Sequence, residues 1–328
     1  MNSNFWQGKR VFITGCTGLL GSWLTDALLG MGADVIGLIR DFVPHSHLVR
    51  SGTLDKITVV RGDLCNYDLL ERTLAEYEVE IIFHLAAQTI VTIANRAPLS
   101  TFETNIRGTY LLLEAARRNP TITGVIIASS DKAYGDQPEL PYHEAAPLQG
   151  RHPYDVSKSC ADLISRSYAH TYGLPVVVTR CANLYGGGDL NWSRIIPGTI
   201  RSVLRNERPI IRSDGLFKRD YMYVKDAVLG YMLAATQLHR PEVHGQAFNF
   251  GLEKPITALE MVNQIIAHSG HPDLAPKILN EAKNEIEEQY LAAEKARNLL
   301  GWQPRYTLDD GLPETIGWYE ALLMGQPS

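Results

Sequence analysis

The sequence predicts an α/β protein built on a doubly wound, mostly parallel sheet, followed by a smaller C-terminal α/β region. Two observations carry this. Residues 10–14 (RVFIT), 33–39 (ADVIGLI), 56–60 (KITVV), 80–85 (EIIFHL), 124–128 (GVIIA) and 175–179 (PVVVT) are almost continuously apolar, the pattern of strands covered on both faces. Between them lie stretches with helical spacing, among them residues 19–31, 67–76, 104–118 and 154–172. Strands that alternate with helices pair in parallel.

The first strand runs into a glycine-rich turn, Thr14-Gly15-Cys16-Thr17-Gly18-Leu19-Leu20-Gly21, with glycines at i, i+3 and i+6. Glycine lets such a strand-to-helix turn close and lets backbone approach a pyrophosphate at the positive end of the following helix. Gly15, Thr17, Gly18, Leu19, Leu20 and Gly21 are therefore candidate dinucleotide contacts, and the sheet is expected to be Rossmann-type. After Cys181 the alternation decays. Gly186-Gly187-Gly188 opens a loop, and a short strand at Ala247–Phe250 mixes with helices over 257–269 and 292–300. The expected organisation is a dinucleotide-binding domain over 1–182 that also carries the reactive groups, with a substrate-binding region over 183–328 interleaved with it. Tyr290 and Trp302 read as core-filling aromatics.

Composition narrows the function classes. Hydrophobic residues make up 45% and charged residues 20% of the 328, ample for a buried core and against disorder. A net charge of −5 with scattered basic residues offers no polybasic surface for nucleic acid. Cys16, Cys65, Cys160 and Cys181 lack the close-pair spacing of a metal site and read as free thiols, so no metal is expected. No run of about 18 apolar residues marks a membrane span, and no signal-like segment precedes the first strand. A cytoplasmic protein follows.

The later strand ends extend the cofactor side. At the second, Arg40 and Asp41 stand one step apart. An acidic residue there accepts ribose hydroxyls and favours NAD, whereas arginine pairs with the 2′-phosphate of NADP, so either cofactor fits. Asp63-Leu64 after the third strand can meet the adenine amino group. Leu85-Ala86-Ala87-Gln88 ends the fourth with small residues, as a close backbone approach requires. Asn105 and Ser129 complete the cofactor candidates.

Tyr154-Asp155-Val156-Ser157-Lys158 puts Tyr and Lys four apart on one helix face. A tyrosine of ordinary pKa, about 10, is a poor base at neutral pH. A neighbouring ammonium and an oxidised nicotinamide favour its phenolate. Ser129-Ser130 at the end of the fifth strand supplies a hydroxyl.

These motifs, with the GDL, HLAAQ, SSDKAYGD, YDVSK, Asn183-Leu184-Tyr185-Gly186, RDYMYV and LGWQP segments, resemble the extended short-chain dehydrogenase/reductase family, in its group that modifies nucleotide sugars. The resemblance covers nearly the whole chain. It implies a bound nicotinamide dinucleotide, a nucleotide-sugar substrate, and a homodimer paired through residues 104–118 and 154–172.

Within that group, a 4-epimerase needs only Tyr, Ser/Thr and cofactor. A 4,6-dehydratase must also remove a proton from C5 and protonate the departing 6-hydroxyl, which requires a further acid/base pair. Asp131-Lys132 stands at that position and resembles the Asp-Lys of CDP-glucose 4,6-dehydratases. Residues 5–11, 21–24, 84–88, 186–189 and 194–197 share this resemblance, whereas residues 219–224 read like the wider group. The expected catalytic set is Ser130, Asp131, Lys132, Tyr154 and Lys158. Arg219 is the expected pyrophosphate clamp, with Asn183, Arg194, Gln88 and Ser130 on the substrate. A sugar 4-epimerase is the alternative, and a non-catalytic dinucleotide-binding protein a more distant one.

Overall fold

The expected strands of the first 182 residues are all present in the structure, a computed structural model that describes residues 3–281 and 286–325. They are β1 (Arg10–Thr14), β2 (Asp34–Ile39), β3 (Thr58–Arg61), β4 (Ile81–His84), β5 (Gly124–Ala128) and β6 (Val176–Cys181). Helices α1 (Leu19–Gly30), α2 (His47–Arg50), α3 (Tyr67–Glu76), α4 (Val91–Arg96), α5 (Pro98–Phe102), α6 (Gly108–Arg118) and α7 (Pro153–Tyr172) connect them. Pro153 sits in the first turn of α7, where its missing N–H is harmless, and Gly173 ends the helix in the left-handed region at φ 68°.

The single helix expected over 104–118 is instead split. Glu103–Arg107 forms a π-turn between α5 and α6, the kind of widening that often accompanies a functional site. The Thr109 hydroxyl donates to the Asn105 carbonyl at 2.6 Å and supports that wider turn.

Beyond residue 182 come β7 (Asn183–Tyr185), α8 (Ile195–Leu204), β8 (Ile210–Ile211), β9 (Lys218–Arg219), β10 (Tyr221–Tyr223), α9 (Val224–Gln237) and β11 (Ala247–Phe250). They are followed by β12 (Ile256–Thr257), α10 (Ala258–His268), β13 (Lys277–Ile278), β14 (Glu288–Gln289) and α11 (Leu308–Leu323). The sequence assigned Ala247–Phe250 to the smaller region, but β11 pairs with β6 as the seventh strand of the central sheet. The strand order is β11-β6-β5-β4-β1-β2-β3, with every ladder parallel. Outside it, β7 pairs with β10, β8 with β13, and β9 lies between β12 and β14. The helix expected over 292–300 shrinks to a short stretch ending in the π-turn Ala296–Leu300. The Ala292 and Ala293 amides are already taken by the Tyr142 carbonyl and Glu253 carboxylate, at 3.0 and 2.8 Å.

Strand β1 shows why both faces are apolar. Phe12 joins Leu70 and Leu74 of α3 and Leu112 and Ala116 of α6 on one side. Val11 and Ile13 join Leu24 and Leu28 of α1 on the other. One buried charge breaks the apolar pattern of the central strands. Arg180 on β6 is 0% exposed, like its partner Asp162 on α7. Its guanidinium donates to both Asp162 oxygens at 2.7 and 2.9 Å and to the Tyr134 hydroxyl at 2.7 Å, and it lies 4.8 Å from the Tyr134 ring centroid. The Tyr134 hydroxyl in turn donates to Asn249 Oδ1 on β11 at 2.7 Å. A buried charge is tolerable only when paired and hydrogen-bonded in this way. Arg180→Ala strands Asp162 without a partner and is expected to lower unfolding free energy by about 3–5 kcal/mol, read as a shifted midpoint in denaturant titration.

Candidate active site

All seven strands end on the same edge of the sheet. The chain passes from β1 to β2 and β3 on one side and returns to β4 and β5 on the other, so a crevice opens between β1 and β4, where such sheets bind ligands. The glycine turn fills it closely. Gly15 has φ +78°, and a Cβ there would lie 2.7 Å from the Ala86 amide nitrogen. A Cβ on Gly21 would lie 2.1 Å from the Gly15 carbonyl, so α1 and the turn are locked together only because both are glycine. Gly18 caps α1 without a side-chain hydrogen bond, leaving first-turn N–H groups at the positive helix end for an anion. This turn fits a dinucleotide pyrophosphate. Thr17 and Leu19 are half-buried beside it, while Leu20 and Gly21 face inward.

At the ends of β2 and β3, Arg40 and Asp41 are exposed and paired, Nε to Oδ2 at 2.7 Å. The Asp63 carboxylate stands 4.0 Å from Arg40 and accepts the Cys65 amide at 2.8 Å. The Asp41 hydrogen bond holds the Arg40 pKa above its ordinary value. Leu64 points the other way, into the core against Gly108.

Behind the crevice runs a hydrogen-bond chain whose direction can be assigned. The Thr109 hydroxyl donates to the Asn105 carbonyl, so its oxygen accepts from His84 Nε2–H at 3.0 Å. His84 Nδ1 then accepts from the Thr14 hydroxyl at 2.8 Å, and Thr14 accepts the Ala86 amide at 3.2 Å. Burial, with the Lys158 charge, pushes the His84 pKa down to about 3, and a neutral imidazole with one donor and one acceptor is what this chain requires. Asn105 is buried beside it. Its amide accepts from Gln88 N at 2.7 Å and donates to the Gln88 carbonyl at 3.1 Å and to Ser157 Oγ at 2.9 Å. Asn105 thus fixes the backbone of Leu85-Ala86-Ala87-Gln88 against the helix that bears Tyr154.

The catalytic candidates converge where β5 meets α7. Lys158 Nζ donates to the Ala128 carbonyl at 2.7 Å, Ser129 Oγ to the Lys158 carbonyl at 3.3 Å, and burial pulls the Lys158 pKa down to about 8. Burial also dominates at Tyr154, pushing it up to about 12. The Arg194 charge and a hydrogen bond with Ser130 oppose that rise. Arg194, expected on the substrate, therefore also bears on Tyr154; its guanidinium donates to Asp189 at 3.1 Å.

Ser130 opens the 3-10 turn Asp131–Tyr134. Its hydroxyl donates to Asp131 Oδ1 at 2.9 Å and accepts the Lys132 amide at 3.2 Å. Asp131 is 4% exposed, and Lys132 beside it is half-buried. Lys132 Nζ lies 3.8 Å from Asp131 Oδ2 and donates to Gln289 Oε1. Asp155 is held above the usual carboxylate range by burial, with the Lys132 charge acting against it.

The expected substrate contacts are spread more widely. Asn183 is half-buried on β7, and its backbone N–H donates to the Asp220 carbonyl at 3.0 Å. The Arg219 guanidinium donates to the carbonyls of Lys218 at 2.8 Å and Ile286 at 2.5 Å, which ties it to the edge of β14. Sequence reading missed Thr14, Thr109, Arg180 and Gln289. The first two are small polar residues inside apolar elements; the last two meet their partners only through the fold.

The chain matches the family model for GDP-mannose 4,6 dehydratase over residues 12–315. It belongs to that family. A similar relative of the family member described here is the CDP-glucose 4,6-dehydratase of Salmonella typhimurium, 33% identical over 99% of this chain and 94% of its own length. A dTDP-glucose 4,6-dehydratase from Bacillus anthracis, solved in complex with NAD, superposes with TM-score 0.85 at 28% identity, covering 97% of this chain and 99% of that one. The UDP-glucose 4-epimerase of Thermotoga maritima, solved with UDP-glucose, gives TM-score 0.87 at 27% identity, covering 96% and 99%. The GDP-mannose 4,6-dehydratase family thus supplies the nicotinamide-dependent nucleotide-sugar fold. Among the described residues, no helix is long and apolar enough to cross a membrane.

The buried neutral His84 has a consequence for acid stability. Its folded pKa lies below the unfolded value, so the unfolded chain binds a proton that the folded chain does not. Stability attributable to this group is whole above pH ~6.5 and falls by about 1.4 kcal/mol per pH unit toward pH ~3. His84→Gln should flatten the slope of unfolding free energy against pH over that window by about one proton, measured by denaturant titration at stepped pH.

Proposed function

We propose that this protein is a nucleotide-sugar 4,6-dehydratase, and the observation that carries the reading is the buried Asp131 with the half-buried Lys132 directly after Ser130, whose hydroxyl also bonds Tyr154. A nicotinamide dinucleotide held by the turn at Gly15, Gly18 and Gly21 would supply a hydride acceptor for C4 of the hexose and a hydride donor for C6. Tyr154, held by Ser130 and with Arg194 and Lys158 close to it, takes the proton of the 4-hydroxyl. The resulting 4-ketone acidifies C5. Lys132 removes the C5 proton, and Asp131 protonates the 6-hydroxyl as it leaves as water. Lys132 then returns its proton to C5, giving a 4-keto-6-deoxy sugar.

NAD is the proposed cofactor. Asp41 neutralises Arg40 and would repel a 2′-phosphate, and the Bacillus anthracis structure was solved with NAD. Residues 1–182 are proposed to hold the dinucleotide and residues 183–328 the nucleotide sugar, with Arg219 and Asn183 toward its pyrophosphate. A homodimer paired through α6 and α7 is supported by the exposed Tyr110, Leu163 and Tyr172 on these helices. Cytoplasmic location is supported by four free thiols, two of them half-exposed.

A 4-epimerase is the second reading, favoured by the Thermotoga maritima superposition. Incubation with CDP-, dTDP-, GDP- and UDP-hexoses separates the two. Dehydration yields a product lighter by one water with 4-keto absorbance in alkali, whereas inversion without mass change establishes the epimerase. Lys132→Met should slow water loss by about 10²–10⁴-fold while leaving reduction of the bound nicotinamide in place. Tyr154→Phe should abolish both.

A further inference from the structure

Gln289 is a buried amide 157 residues from Lys132 in the chain, yet it touches both members of the acid/base pair. Its Nε2 donates to the Asp131 backbone carbonyl at 3.0 Å, and its Oε1 accepts from Lys132 Nζ. The amide orientation is chemically forced. The Asp131 carbonyl can only accept, so the amide nitrogen must face it, which leaves the amide oxygen to accept from Lys132. With a residue exposure of 1%, Gln289 has no solvent to fall back on, and both halves of its amide are satisfied by these two contacts.

We propose that Gln289 is the positioning residue of the elimination step: it holds the Lys132 amine at a fixed place beside Asp131 and ties that place to the strand carrying Arg219. This rests on the dehydratase reading of the site. A lysine side chain has four rotatable bonds, and a base serves C5 only while its nitrogen stays on one side of the sugar. The Asp131 carboxylate alone does not fix it, at 3.8 Å.

The second anchor comes from the β9–β14 ladder. Gln289 stands opposite Arg219 in the parallel register, with Glu288 opposite Lys218. The Arg219 guanidinium also holds the carbonyls just ahead of β14, those of Ile286 and Glu287. Any rearrangement of Arg219 on engaging a substrate pyrophosphate is therefore transmitted through one ladder to the amide that holds Lys132. The nucleotide end of the substrate and the base at its C5 share a two-residue strand.

The test uses the full-length protein with its bound cofactor, as wild type, Gln289→Met and Gln289→Glu, each checked for folding by thermal melting. Methionine keeps the length of the side chain and loses both hydrogen bonds. Glutamate keeps an acceptor toward Lys132, now charged, and loses the donor to Asp131. Two readouts are combined. Competitive acetylation of Lys132 with acetic anhydride across pH, read by mass spectrometry, reports its titration without any substrate. In Gln289→Glu the midpoint should rise by about one unit or more above wild type. With a nucleotide hexose that wild type dehydrates, Gln289→Met should lower kcat for water loss by about tenfold to a hundredfold, with KM and nicotinamide reduction at wild-type values. The pH profile of kcat for Gln289→Glu should move in the same direction as the acetylation midpoint.

An identical Lys132 midpoint in all three folded proteins overturns the proposal. So does a parallel fall of nicotinamide reduction and water loss in Gln289→Met, the mark of a merely structural residue. If the midpoint shifts but wild type dehydrates no nucleotide hexose, the dehydratase reading fails and the hold of Gln289 on Lys132 stands.

Discussion

Lys158 places a positive charge in a space from which water is excluded, and its neighbours are arranged around that fact. The Ala128 carbonyl takes one of its hydrogens at 2.7 Å, and burial still draws its pKa down to about 8. A second cation cannot share so poorly screened a volume. His84, buried nearby, is accordingly held neutral, and burial and the Lys158 charge act in the same direction on it. Neutrality gives the imidazole one donor and one acceptor, which sets the sense of the hydroxyl chain from Ala86 to Asn105. That chain fixes the backbone on which a nicotinamide must rest. The same dryness raises Tyr154 to about 12, so its proton affinity is tuned by the charges brought to it and not by the phenol alone.

Much of this was legible in the sequence because the relevant signals are local. The glycines at 15, 18 and 21 announce a turn through backbone sterics, and Tyr154 and Lys158 announce a shared helix face through their spacing. Continuous apolar runs announced the central strands, and β1 and β5 fall on the expected residues. What escaped depends on contacts across the fold. The strand Ala247–Phe250 was visible, but its place beside β6 is a property of topology. The π-turn at Glu103–Arg107 has no pattern that separates it from an ordinary helix; Thr109 and Asn105 sustain it from within. Besides the ammonium and oxidised nicotinamide that the sequence points to, the Arg194 charge acts on Tyr154 and is the largest influence opposing burial there. Distance in the chain hid that contact.

The division of labour inside the crevice follows from the same geometry. In the proposed mechanism Tyr154 and Lys158 on α7, with Ser130 just past β5, serve the oxidation step. Asp131 and Lys132 begin the short turn that leaves β5, and that turn is buttressed from outside the dinucleotide fold. Gln289 meets it from β14, and Arg180 and Asn249 meet Tyr134 at its far end. The proposed acid/base turn is therefore held by residues that the first half of the chain does not contain.

Arg180 shows what this means for a chain made from its N-terminus on the ribosome. Asp162, Tyr134 and Arg180 all emerge before Asn249, and β6 is an edge strand until β11 is synthesised and docks on it. An unpaired edge with exposed N–H and C=O groups invites pairing with other chains. Until that late strand arrives, the Tyr134 hydroxyl has no Asn249 to accept its hydrogen bond, and the turn bearing Asp131 and Lys132 also lacks Gln289, which follows later still. The nascent protein can shape a dinucleotide crevice early, but its acid/base pair matures only when nearly the whole polypeptide has left the ribosome.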